Sequence, residues 1–139
     1  MAGNRTLTII KPDAFNSGKS GQIIALLEKA GFKIIASRVM RLTEAQAAAF
    51  YAVHKERPFF APLTRFMTSG KCMPMVLERA DAVATLRKVI GATDPAEADS
   101  GTVRKLYAES KERHAIHASD SDENAQREAT FFFPEADLV

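Results

Sequence analysis

The chain has 139 residues with 46% apolar side chains, and 19 Lys or Arg against 17 Asp or Glu leave a formal charge of +2. That length and apolar fraction suit one domain, residues 1–139, with one ordinary core. No apolar run approaches the about 18 residues needed to span a bilayer, and a small, dispersed basic excess is not the concentrated stripe of a nucleic-acid binder.

In chain order, Met1-Ala2-Gly3-Asn4-Arg5 leads directly into a strand, without a signal-peptide apolar region, so a cytoplasmic location is expected. Thr6 to Ile10 is β-branched and apolar and reads as a buried strand closed by Pro12. Gly18 and Gly21 bracket a loop, after which Ile23, Ile24, Leu27 and Ala30 recur at helical spacing and Gly31 fits the position past a helix end. Phe32, Ile34, Ala36, Met40 and Leu42 predict one long strand with a single buried face. Thr43 and Gln46 predict a capping box for an Ala-rich helix through Phe50 and Val53.

Another helix is expected from Pro58 towards Ser69, stopped by Gly70. Met73 to Glu78 reads as a third strand, but Pro74 cannot donate to a ladder, so a late start or a bulge is expected there. Asp81 is expected to cap a helix ended by Gly91. Residues 91–101 are turn-rich, 102–108 form one or two helical turns, and Ile116 lies in a short extended piece. Asp120 or Ser121 caps a last helix to Arg127, with Phe131-Phe132-Phe133 packing its end. The lone cysteine, Cys72, excludes an internal disulfide and a thiolate metal cluster, and reads as a small buried hydrophobe. The order of elements fits an α+β, ferredoxin-like βαββαβ sandwich, a four-stranded antiparallel sheet covered by helices. That plan hosts many functions, so the site must decide.

Several residues could together hold a phosphorylated ligand. Lys11 follows a strand in a Lys11-Pro12-Asp13 turn, where an exposed ammonium would face phosphate; alone it is as readily a solvated lysine. Arg87 and Arg104 offer guanidinium forks for phosphate, though each alone reads as a surface residue. Phe59, near a helix start, offers a ring for stacking on a base, whereas Phe60 beside it reads as core. Thr93 in the turn could donate to phosphate or bond its own backbone. His117 lies in His114-Ala115-Ile116-His117-Ala118-Ser119-Asp120, and a neutral imidazole can carry a transferred group covalently. Against a structural histidine, only the company of these other residues argues. His114 raises a metal-site alternative, but no further ligand set completes a zinc site.

Six ordered segments make a specific pattern: Arg5-Thr6-Leu7 through Ile10-Lys11-Pro12-Asp13-Ala14; Phe50-Tyr51-Ala52-Val53-His54 with Glu56-Arg57-Pro58-Phe59-Phe60; Phe66-Met67-Thr68-Ser69-Gly70; Gly91-Ala92-Thr93-Asp94-Pro95; Gly101-Thr102-Val103-Arg104; and Ile116-His117 with Ser119-Asp120. Over nearly its full length the chain resembles nucleoside diphosphate kinases. The resemblance implies ping-pong transfer of a γ-phosphate, typically from ATP, to a nucleoside diphosphate through phosphohistidine on His117, which maintains NTP and dNTP pools. It implies that Lys11 contacts the phosphate and the ribose 3′-hydroxyl and that Tyr51 lies beside the reacting phosphate. Phe59 would stack on the base with Leu63 near its edge, while Arg87, Thr93 and Arg104 grip the phosphates. Glu128, aided by Ser119, would fix the His117 tautomer. Mg²⁺ would bridge nucleotide phosphates with no protein ligands, and a homo-hexamer or homo-tetramer is implied, with no membrane and no required nucleic acid.

Two departures flank the nucleophile: His114 stands where relatives usually have asparagine, an amide that helps bind the ribose hydroxyl, and Ala118 where they have glycine. His114 as a substrate-binding residue is expected to make affinity pH-dependent, and Ala118 matters only if that position needs positive φ. Lys71 and Pro74 also depart from the pattern and bear on the third strand. Two rival readings remain: a binding or scaffold protein whose transfer is crippled by these departures, opposed by the joint presence of Lys11, Arg87, Arg104, His117 and Glu128; and an RNA-binding ferredoxin-like module, which lacks the paired strand aromatics.

Overall fold

The computed structural model describes residues 3–110 and 113–139, so the opening Met1-Ala2 of the N-terminal reading lies outside the described residues. Strands β1 (Arg5–Ile10), β2 (Lys33–Ser37), β3 (Met73–Glu78) and β4 (Ile116–Ala118) form one antiparallel sheet in the order β2-β3-β1-β4. The helices are α1 (Pro12–Asn16), α2 (Ser20–Lys29), α3 (Glu44–Phe50), α4 (Phe60–Met67), α5 (Ala82–Ile90), α6 (Val103–Tyr107) and α7 (Asp122–Phe132). This is the ferredoxin-like α+β plan.

The strand period of two sends Ile10, Met75 and Leu77 to one face, where they pack with Ile23, Leu27, Leu86, Ile90 and Val103 of α2, α5 and α6. It sends Leu7, Ile9 and Val76 to the other, against Phe50, Met67 and Phe132 of α3, α4 and α7. Because both faces are covered, β1 and β3 are buried almost throughout, Thr6 and Thr8 of β1 included. Each Leu or Ile buried this way contributes about 1.5–3 kcal/mol. Among the described residues no helix is long and apolar enough to cross a membrane.

Where the local pattern misleads, the sheet explains why. The long second strand is shorter than expected: β2 ends at Ser37, and only an isolated bridge, Met40 to Cys72, continues the pairing. A register shift between Ile34 and Ala36 flips the face that β2 presents, leaving Ile34 exposed at the sheet edge. Pro74 neither delays β3 nor bulges it; the β1–β3 register is unbroken, with Ile9 opposite Pro74. The Pro74 carbonyl accepts from Arg38 on the β2 side. In an antiparallel strand the N–H and C=O of a residue point the same way, so the missing donor falls beyond the end of β2 and costs the β1 ladder nothing.

Pro12 opens α1 at its first turn instead of merely ending β1, and Gly21 lies inside α2 rather than closing a loop. Thr43 and Gln46 make the reciprocal capping box, but α3 stops at Phe50 and a tight 3₁₀ turn carries Ala52–His54, leaving Val53 exposed. Asp81 stands at the start of α5 in left-handed conformation (φ 52°) and makes no side-chain cap bond. Ser121 caps α7 by accepting from the Asn124 N–H, and the helix runs past Arg127 to include Phe131 and Phe132.

Candidate active site

His117 sits on β4, the short edge strand paired with β1, opposite Ile9. The Thr8 hydroxyl donates to its carbonyl at 2.7 Å, pinning the backbone of the strand. Behind the ring, α7 presents Glu128. The His117 Nε2–H donates to Glu128 Oε1 at 2.7 Å, and the Ser119 hydroxyl donates to the same oxygen at 2.9 Å. Ser119 and Glu128 are both buried. With Nε2 committed as donor, the lone pair is on Nδ1. Burial lowers the basicity of His117, the Glu128 contact opposes this, and the nearby charges of Lys11 and Arg104 lower it further, so the ring is neutral and nucleophilic at neutral pH. The rings of Phe50 and Tyr51 wall it, with centroids 5.4 and 6.1 Å away.

Lys11 lies in the turn between β1 and α1 and, contrary to the exposed ammonium expected, is only 2% exposed. Its Nζ donates to His114 Nε2 at 2.6 Å. Burial and then Arg104 push its pKa down to about 7, with Asp13 pulling the other way. His114 is held neutral: burial first, then Lys11, Arg104 and His117, drive it down to about 2. The pH dependence expected from His114 therefore has no titration to carry it between about pH 5.5 and 8; in this pocket Lys11 is the group that titrates there.

The turn before β4 carries the backbone strain. Ala115 adopts φ 72°, and the Ile116 N–H donates to the His114 carbonyl across it at 2.8 Å, a tight γ-turn that a β-carbon disfavours. Ala118, by contrast, is ordinary strand paired with Thr8, so the alanine there is harmless. The strained turn is clamped onto the Lys11 turn: the Lys11 N–H donates to Ala115 O at 2.8 Å, and the Ala115 N–H donates to Asp13 Oδ2 at 3.0 Å.

Arg87, Thr93 and Arg104 do come together. With Lys88, Gly91 and Thr102 they line a cleft of about 370 Å³. Arg104 is buried and donates through Nη1 to Gly91 O at 3.1 Å and through Nη2 to Ile116 O at 2.9 Å, which tethers the guanidinium beside β4. Gly91 has φ 91°, and a β-carbon there would stand 2.6 Å from the Thr102 hydroxyl, so only glycine fits. Phe59 is the N-cap residue just before α4 and is 48% exposed, and Leu63 follows one turn later, its N–H donating to Phe59 O. His54, passed over in the sequence, packs its ring 5.2 Å from that of Phe59. Asp13 was also missed as a clamp, because its signal, the Lys11-Pro12-Asp13 turn, drew attention to the lysine alone.

The buried side-chain atoms without partners among the described residues are Thr6 Oγ1, Asp13 Oδ1, Tyr51 OH, Arg104 Nε and His114 Nδ1, and four of these five belong to this site. Each orphan costs about 1–3 kcal/mol. The Tyr51 hydroxyl and the Arg104 Nε–H are thus buried donors without acceptors.

The family model for nucleoside diphosphate kinase matches residues 4–138. A nucleoside diphosphate kinase of Chlorobaculum tepidum is 56% identical over 135 residues, covering 97% of this chain and 96% of the relative. One from Anaeromyxobacter sp. is 55% identical, covering 97% and 92%. Among solved structures, the Aquifex aeolicus nucleoside diphosphate kinase superposes with a TM-score of 0.96 at 43% identity, covering 98% of this chain and 99% of that one. A halophilic nucleoside diphosphate kinase from Halobacterium salinarum in complex with CDP gives 0.93 at 38% identity, covering 99% and 92%.

Proposed function

The chain belongs to the nucleoside diphosphate kinase family and is a phosphotransferase, and from that premise we propose that the whole chain acts as one catalytic domain that moves a γ-phosphate by way of His117. The observation that carries this reading is the imidazole whose Nε2–H is engaged by buried Glu128, leaving Nδ1 as the nucleophile.

In the first half-reaction the Nδ1 lone pair attacks the γ-phosphorus of a nucleoside triphosphate such as ATP. The bond from that phosphorus to the β-phosphate oxygen breaks, and the electron pair leaves with the nucleoside diphosphate. In the second, a terminal oxygen of an acceptor diphosphate attacks the phosphohistidine, and the P–N pair returns to Nδ1. Phosphoryl transfer is mostly positioning and charge stabilisation. Glu128 and Ser119 hold the ring and offset the positive charge it gains. Lys11, with His114 at its amine, addresses the moving phosphate and the ribose 3′-hydroxyl, and the Tyr51 hydroxyl lies beside that phosphate. Arg87, Thr93 and Arg104 take the remaining phosphates. Phe59 stacks on the base with Leu63 at its edge, which tolerates any base because each has a π-face.

Mg²⁺ suits this cleft only as a partner of the nucleotide: Arg87, Lys88 and Arg104 outnumber the carboxylates of Glu97 and Asp99 in its lining, and no group of three His, Cys, Asp or Glu side chains placed to cage a metal occurs among the described residues. Carried on the phosphates, the ion would neutralise charge between them. Broad base tolerance suits a cytoplasmic enzyme that balances NTP and dNTP pools. The open β2 edge, with Ile34 and Val39 exposed, supports assembly into a homo-hexamer or homo-tetramer. Incubation with γ-labelled ATP alone tests the mechanism: an acid-labile, base-stable phosphoprotein is expected, absent in His117→Ala. No label, or label that survives the substitution, refutes it.

A further inference from the structure

We propose that His114 is a positioning residue that acts through Lys11: its Nε2 lone pair holds the lysine amine in the pocket, and the histidine serves phosphate transfer by aiming that amine rather than by touching the nucleotide. The inference rests on the phosphotransfer reading above and assigns the departure from asparagine a role of its own.

Three hydrogen bonds join the two turns. Lys11 Nζ donates to His114 Nε2 at 2.6 Å, and the Lys11 N–H to Ala115 O and the Ala115 N–H to Asp13 Oδ2 lock the backbones beside it. The γ-turn centred on Ala115 turns the chain between His114, on the amine, and His117, in β4. Phe66 lies by the same amine, 6.0 Å from Nζ, and its ring is also 5.3 Å from the Arg113 guanidinium. A long lysine loses side-chain entropy when fixed, and an acceptor at Nζ opposes that cost. Neither ring nitrogen of His114 is open to a ligand: Nε2 is occupied by the lysine, and Nδ1 is buried without a partner.

The acceptor role requires a neutral ring with its proton on Nδ1. The surroundings enforce that state. The charged and titratable groups facing the pair are Arg104 from α6, Asp13 from α1 and His117 from β4, with Arg113 across Phe66 and Glu128 behind His117. A protonated His114 would have no acceptor and would repel Lys11, whereas the neutral ring accepts from the lysine in either of its own protonation states.

A double-mutant cycle tests the inference. His114→Phe keeps the ring volume and removes the nitrogen; His114→Asn keeps an acceptor. Single-turnover labelling of His117 by ATP is expected to slow about tenfold in His114→Phe, to recover most of the loss in His114→Asn, and to show no further loss when His114→Phe is added to Lys11→Ala. The alkaline limb of kcat/KM should move to lower pH in His114→Phe, because the ammonium has lost its acceptor. The same loss in the Lys11→Ala background would mean a direct nucleotide contact and overturn the proposal, as would an unchanged rate and limb in His114→Phe. Nitrogen NMR of the unmodified chain needs no variant: a proton on His114 Nδ1 with Nε2 bare is expected, and an Nε2-protonated ring overturns the assignment. Absence of any His117 label in the unmodified chain defeats the phosphotransfer reading itself; labelled His117 with additive losses defeats this inference alone.

Discussion

Replacing Glu128 removes a carboxylate that opposes the effect of burial on His117. Its Oε1 accepts at 2.7 Å from the ring and at 2.9 Å from Ser119, so Glu128→Ala leaves a buried N–H and a buried hydroxyl without their acceptor. When Nδ1 bonds to phosphorus the ring becomes cationic, and a charge-assisted bond at Nε2 is then worth about 1.5–3 kcal/mol. At about 1.4 kcal/mol per decade, Glu128→Ala should slow phosphorylation of His117 by on the order of 10- to 100-fold. Glu128→Gln keeps an amide oxygen for the ring N–H, hence the tautomer, and loses only the charge; about tenfold is expected. Quenched-flow labelling at saturating ATP isolates the chemical step from affinity, and thermal unfolding of each variant separates catalysis from folding. A rate for folded Glu128→Ala within about twofold of the unmodified chain would refute the reasoning, as would a loss confined to ATP affinity.

Phe59→Ala removes a side chain on a residue 48% exposed whose ring packs against that of His54; KM should rise for purine and pyrimidine nucleotides alike, by the about 1–3 kcal/mol of base stacking, with kcat kept, and an effect on one base alone contradicts the stacking role. Ala115→Gly relieves φ 72° and should raise the unfolding free energy by about 1 kcal/mol, net of the greater freedom of the unfolded glycine; a lower midpoint in urea speaks against strain there. His114 is a base held at about 2 in the fold against 6.5 unfolded, so between those values the unfolded chain binds the extra proton and stability falls as pH falls, with a slope of up to about 1.4 kcal/mol per pH unit. His114→Asn should flatten that acid limb in denaturant titrations, and superimposable curves for the two proteins would exclude the assignment.

Much of the fold is legible in local chemistry. The Thr43–Gln46 box, the Gly31 stop after α2, the β-branched and apolar β1 and the apolar run of β3 follow from hydrogen-bonding groups and periodicity within a few residues. The ordered segments likewise name the family, because spacing along the chain survives without coordinates. Local pattern could not decide whether Pro74 would break its strand, since that depends on which neighbour the missing N–H would face. It could not place the β2 register shift, which answers to the partner strand.

In the site, residue types and order pointed to His117, Lys11 and the two arginines, but not to their protonation. Burial and mutual charge settle that, and these arise only when residues more than a hundred positions apart, such as Lys11 and His114, share one pocket. The sequence therefore determined the family and singled out His117 as the candidate nucleophile, both carried by residue identity. The tertiary structure decided that Nδ1 is the free nitrogen, that the strain lies at Ala115 rather than Ala118, and that Lys11 rather than His114 titrates near neutral pH. Each depends on distance and desolvation, which a linear order of residues does not contain.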